Sequence, residues 1–160
     1  LLLPPVEKPT IALIIAGSGP TDRDGNSGGL KMNYLKMLAE GLYENNIASI
    51  RYDKRGIGAS VMPGLKEEAL TFRDFISDAE LWMDKIMDDS RFGDIVVIGH
   101  SEGSLIGMIA SQNKQAEAKN DIEEAKTILD ISKASGEEKR TRAEAHRDAS
   151  EAYRDDREDR

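Results

Sequence analysis

The stretch Asp94-Ile95-Val96-Val97-Ile98-Gly99-His100-Ser101-Glu102-Gly103 decides how the rest of the chain reads. Four apolar residues, Ile95 to Ile98, run straight into Gly99. A short continuous apolar run of this kind suits a strand covered on both faces of a parallel sheet. Downstream, Leu105 and Ile109 stand at helical spacing. Between strand and helix sits the pattern G-x-S-x-G. A nucleophilic hydroxyl needs such a setting, because it must stand on a sharp turn and project above the sheet. Glycines at 99 and 103 remove the Cβ atoms that would clash in that turn. The turn also aims the Glu102 N–H and the start of the following helix at a developing oxyanion. The plainer reading of the same residues is a helix start capped by Ser101.

Two more apolar runs flank this one: Ile11-Ala12-Leu13-Ile14-Ile15-Ala16, ending at Gly17, and Ile47-Ala48-Ser49-Ile50-Arg51-Tyr52. Helical stripes separate them. Leu35, Leu38 and Leu42 form one, which stops near Asn45-Asn46. Phe72, Phe75, Ile76, Ala79, Trp82, Met83 and Ile86 form another, with Thr71 as the expected N-cap. Alternating strands and helices argue for parallel βαβ units, hence an α/β fold.

After the second run comes Asp53-Lys54-Arg55-Gly56-Ile57-Gly58-Ala59-Ser60. Together with Ala16-Gly17-Ser18-Gly19-Pro20-Thr21-Asp22-Arg23-Asp24-Gly25-Asn26 and Gly99-His100-Ser101-Glu102-Gly103-Ser104, this wording resembles a bacterial branch of the α/β-hydrolases, described as serine-aminopeptidase-like hydrolases or esterases. The resemblance covers about residues 1–112. It implies a three-layer sandwich around a mostly parallel sheet, here a partial one, and Ser101 as nucleophile. It implies that Ser18, after the first strand, offers the second oxyanion N–H beside that of Glu102. It also implies that Asp53 and Arg55 are structural, pinning the loop under the site. The Glu102 carboxylate has two readings of equal weight: a group facing the acyl site, or helix-start electrostatics.

A serine nucleophile needs a base, and usually an acid to orient that base. The chain has two histidines. His100 belongs to the turn, and its side chain is expected to point away from the Ser101 Oγ. His146 is the sole downstream candidate base, with Asp130 as candidate acid. Yet Arg142 to Asp148 reads as exposed helix, and Lys126 to Ser132 reads better as helix than as strand. The expected function is therefore serine-dependent hydrolysis of a small carboxylic ester through an acyl-enzyme at Ser101. The missing loop-borne His puts activity in question, since losing the base costs about 10⁴–10⁶ in rate. The alternative is a non-catalytic α/β domain, or a hydrolase remnant, whose tail is a helical interaction element. A nucleotide-binding domain is disfavoured, because no dinucleotide fingerprint or phosphate lysine is present.

The remaining features bound the partners. Of the 48 residues from Asn113 onward 25 are charged, against 27 of the first 112, so residues 1–112 read as the α/β core and 113–160 as a charged helical tail. Within the tail, Ala118, Ile122, Ala125 and Leu129 share a face. Ser135-Gly136-Glu137-Glu138 reads as a helix break and a new cap, giving a helical hairpin. A net charge of −8 disfavours nucleic acid and anionic membranes. With no cysteine there is no disulfide or thiolate site. Asp22-Arg23-Asp24-Gly25-Asn26 has the wrong spacing for an EF-hand loop, so no metal and no cofactor is expected. No run reaches ~18 apolar residues, so the chain reads as soluble, with the compartment open between cytoplasm and export after signal removal. Leu1 in place of Met points to an upstream start, and only 59 residues follow Ser101, so the chain reads either as a fragment or recombined product of a hydrolase gene or as a hydrolase core whose tail is a substitute that caps an incomplete sheet. Missing strands would expose a sheet edge through which copies could associate.

Overall fold

β1 (Ile11–Ile15) is buried from end to end. In the computed structural model, which describes residues 1–158, it is the middle strand of a three-stranded sheet. The side chains of Glu67 and of residues scattered from 134 to 158 lie outside the described set. The sheet order is β2 (Ala48–Arg51), β1, β3 (Ile95–Gly99). Both pairings are parallel, with Ile11 opposite Ala48 on one side and Ile95 on the other. Parallel neighbours require crossovers. α1 (Tyr34–Glu44) links β1 to β2, and α2 (Phe72–Met87) links β2 to β3. Leu2 adds one antiparallel bridge to Ser49 at the outer side of β2.

Side chains alternate across a strand, and β1 uses both faces. Ile11, Leu13 and Ile15 pack with Ile76, Ala79, Met83 and Ile86 of α2 and with Ile106 and Ala110 of α3 (Glu102–Glu158). Ala12, Ile14 and Ala16 pack with Leu35 and Ala39 of α1. Helix, sheet and helix thus form three layers, the partial α/β-hydrolase sandwich expected from the sequence. Helix α2 begins where Thr71 meets Asp74: the Asp74 carboxylate accepts from the Thr71 N–H at 2.8 Å and from its hydroxyl at 2.7 Å. Helix α1 ends at Asn45, and Asn46 follows in the left-handed region, φ 62°, which asparagine tolerates.

Two expectations need correction. The run Ile95–Ile98 is not covered on both faces: β3 is an edge strand, and Val96 is 46% exposed. Its apolar character comes from packing Ile95 and Val97 against the α2 side of the core. On α3 the buried face carries Ile106 and Ala110, while Leu105 points outward. Second, the tail is not a hairpin. The helical backbone runs unbroken through Ser135-Gly136 to Glu158. A glycine within a helix costs only about 1 kcal/mol relative to alanine, and here Glu, Lys, Arg and Ala neighbour it in sequence, with no proline to enforce a stop.

The chain divides into two compact units, Leu1–Gln115 and Ala116–Arg160. The buried apolar core described above belongs to the first. In the second, Ile122, Ile128, Leu129 and Ile131 are exposed on α3. Among the described residues, no helix is long and apolar enough to cross a membrane.

Candidate active site

The strand order makes the site. β1 and β3 are neighbours, but the chain leaves β1 toward the α1 face and leaves β3 toward the α3 face. Diverging connections open a crevice at the carboxyl ends of adjacent strands. The Gly17-Ser18-Gly19 loop and the Gly99–Gly103 turn therefore meet there. A Cβ on Gly17 would lie 2.9 Å from His100 Nδ1 and 3.3 Å from the Ser101 Cβ.

The turn is pinned by its backbone. The His100 N–H donates to Ile15 O at 3.0 Å, continuing the β1–β3 ladder. The Gly103 and Ser104 N–H groups donate back to His100 O and Ser101 O, each at 2.9 Å. The Ser104 hydroxyl closes on Gly99 O at 2.7 Å. Ser101 is held at φ 52°, in the left-handed region, which costs a non-glycine residue of order 1–3 kcal/mol. Its side chain is exposed at the start of α3. The flanking glycines have identifiable reasons. A Cβ at 99 would strike the Gly103 backbone, and one at 103 would strike the carbonyls of Ile15 and Ala16. Among the described residues, neither the Ser18 nor the Glu102 amide N–H has an acceptor.

His100 is exposed, and its Nδ1 lies 3.3 Å from the Tyr34 hydroxyl with ring centroids 5.0 Å apart. No hydrogen bond joins Ser101 Oγ to an imidazole among the described residues. Asp130 stands exposed on α3 in the second unit. His146 falls on the α3 backbone, and its side chain lies outside the described residues.

Asp53 and Arg55 hold loops. Buried Asp53 accepts from Arg23 Nη2 at 2.6 Å, the Arg23 backbone N–H at 2.7 Å and the Ala59 N–H at 2.9 Å. Burial alone would raise its pKa; the guanidinium and the two amides outweigh this and leave the carboxyl below the ordinary aspartate value. Gly58 must be glycine, since its φ is 50° and a Cβ would lie 2.5 Å from Asp53 Oδ2. Arg55 makes two 2.6 Å bonds to Asp78 on α2. Asp22 serves its own loop, accepting the Asp24 and Asn26 N–H groups at 2.9 and 2.8 Å. Among the described residues no group of three His, Asp or Glu side chains is arranged around a metal position.

The sequence reading passed over Lys54. Lodged between Asp53 and Arg55, it reads as one more solvated charge, yet it is 4% exposed. Its ammonium donates to Gly17 O and to Glu102 Oε2, the latter at 3.3 Å, and sits 5.5 Å from the Phe75 ring centroid. Three consecutive charges directly after a buried strand were the available clue, because a loop that close to the core can enclose charges that find partners: Asp53 and Lys54 are both buried. Lys54 and Glu102 help to line a cavity of about 490 Å³, together with Gly19, Leu65, Leu70 and Phe75.

The family model for serine aminopeptidase, S33, a hydrolase family, matches residues 29–124, more than half of the chain. The chain belongs to that family. This hydrolase chain also aligns with the structure of ferulic acid bound to Est1E from Butyrivibrio proteoclasticus, at a TM-score of 0.57 and 23% identity. The alignment covers 71% of the hydrolase chain and 42% of Est1E, so the chain spans less than half of that structure. The likeness establishes the fold. No curated protein sequence matches.

Proposed function

We propose that this chain carries the nucleophile half of a serine hydrolase acting on small carboxylic esters, with Ser101 as nucleophile. Ser101 Oγ attacks the ester carbonyl carbon while a general base takes its proton. The carbonyl electrons move onto oxygen, and the resulting oxyanion accepts the Ser18 and Glu102 N–H bonds. Collapse expels the alcohol with a proton and leaves an acyl-enzyme. Water then releases the acid. The cavity beside Glu102 is walled by Leu65, Leu70 and Phe75 and also by Lys54 and Arg55, so it suits an acyl or alcohol group that carries both apolar and polar parts.

One observation carries this reading: an exposed Ser101 is held on a left-handed turn close to Gly17, and the amide N–H groups of Ser18 and Glu102, one after each strand end, have no acceptor among the described residues. Such donors are the largest single element in acyl-transfer catalysis, each contributing about 10²–10³ in rate. The test is labelling by a fluorophosphonate probe, followed by hydrolysis of a p-nitrophenyl ester. Wild type should label and turn over, and Ser101→Ala should do neither. Folded wild type that does not label overturns the reading.

A second reading rests on the absence, among the described residues, of any imidazole bonded to Ser101, together with the exposed Ile122, Leu129 and Ile131 on α3. On that reading the chain is a non-catalytic α/β domain with an interaction helix. Ester hydrolysis that depends on Ser101 would remove it.

A further inference from the structure

We infer that Lys54 is a positioning residue that fixes the orientation of the Gly17–Ser18 peptide and ties it to the start of α3. The inference rests on the proposed role of Ser18 and Glu102 as oxyanion donors. A lysine head has three N–H bonds and no acceptor. Buried, it must satisfy them within the protein. Lys54 has a carbonyl, a carboxylate and an aromatic face: Gly17 O, Glu102 Oε2 and the Phe75 ring. Two N–H bonds go to Gly17 O and Glu102 Oε2, and the charge lies 5.5 Å from the Phe75 ring centroid. Among the described residues the ammonium makes no hydrogen bond to Ser101 Oγ, so Lys54 is assigned a positioning role and not that of general base.

The consequence lies one atom further along the chain. The Gly17–Ser18 peptide is planar and trans, as are all the described peptides. Its C=O and N–H therefore point in opposite directions. When Lys54 holds Gly17 O on one side, the Ser18 N–H is committed to the other, where it has no acceptor of its own. Glycines on both sides would otherwise let this peptide rotate easily, since Gly19 takes φ 70° with open space around it. The second anchor, Glu102, is the residue that bears the other candidate oxyanion N–H. One buried side chain thus spans both donors. It is seated at the carboxyl end of β2, so that β2 contributes to a site formed by β1 and β3.

The test uses the full chain with Lys54→Met, which keeps the length of the side chain and removes its donors, and Lys54→Arg, which restores them. Orientation is read from the residual dipolar coupling of the Ser18 N–H vector and the carbonyl carbon shift of Gly17. Function is read from the fluorophosphonate labelling rate. Lys54→Met should displace both Ser18 and Gly17 signals, leave couplings in β1 and α2 in place, and slow labelling about 100-fold; Lys54→Arg should recover part of each. If wild type labels and Lys54→Met labels equally fast, the inference is overturned while the nucleophile assignment stands. If wild type does not label, the nucleophile assignment fails; the Ser18 coupling then decides the positioning role, an unchanged value in Lys54→Met overturning it. Should Lys54→Met not fold, wild type alone suffices. A slowly exchanging Lys54 ¹⁵Nζ signal with a coupling across the hydrogen bond to the Gly17 carbonyl supports the inference, and its absence overturns it.

Discussion

Asp53 shows how much one buried carboxylate does in this chain. It joins the loop after β1, through Arg23, to the loop after β2, through Ala59. Its folded pKa lies below that of the unfolded chain, which titrates near 3.9. Below that value the unfolded state binds the proton and the folded state does not, so protonation draws the equilibrium toward unfolding. The stabilisation is complete above about pH 5 and disappears as pH falls through the folded pKa. Asp53→Asn should therefore lower stability at pH 7 by about 1–3 kcal/mol and flatten the loss of stability below pH 4, as measured by urea titrations at several pH values. A variant with the acid slope of wild type would assign that slope to other carboxylates, such as Asp22. At this scale the sequence was legible wherever chemistry dictates residue type: Gly99, Ser101 and Gly103 follow from the needs of the turn. Lys54 was illegible because a buried, fully bonded lysine and a solvated one are the same letter; only the partners distinguish them.

Helix α3 illustrates what periodicity conveys and what it does not. Leu105 and Ile109 announce a helix after Ser101, and the helix is there. The spacing alone does not say which side of it meets the sheet. Ile106 and Ala110 do, because the turn at Ser101 sets the rotation at which the helix starts. Ile106→Ala should cost about 2–5 kcal/mol, since the site is fully enclosed and leaves a cavity. Leu105→Ala, at 48% exposure, should change stability by about 0.5 kcal/mol or less. Chemical denaturation of the two variants checks the pair, and equal costs would mean the helix is rotated from its described position. The break expected at Ser135-Gly136 failed for a related reason. A glycine is a strong stop only where a turn needs its left-handed φ, and an exposed helix needs no turn.

Taken whole, the chain joins a packed α/β unit to a charged helix. The three strands and their parallel pairing follow from the alternation of apolar runs and stripes, together with the resemblance carried by Asp53–Ser60 and Gly99–Ser104. The edge position of β3 does not follow, because an apolar run reports burial potential and not how many neighbours a strand finds. All residues of both core clusters lie at or before Ala110. A chain cut after Gln115 should accordingly keep a cooperative urea transition, with an unfolding free energy within about 0.5 kcal/mol of that of the full chain. Far-UV circular dichroism should lose helical signal in proportion to the removed residues. Non-cooperative unfolding of the shortened chain would show that the second unit supports the first.

The two sides of β1 differ in bulk. Ile11, Leu13 and Ile15 face the pair of helices, whereas two of the three residues facing α1 are alanines. Sliding this strand by a single residue would press isoleucine and leucine into the shallow side and leave the deep side half empty. The central strand thus works as a key cut differently on its two edges, one that enters the lock in a single alignment. That alignment also sets how far Gly17 and Ser18 reach beyond the sheet, so errors in threading and errors in the crevice would arise together.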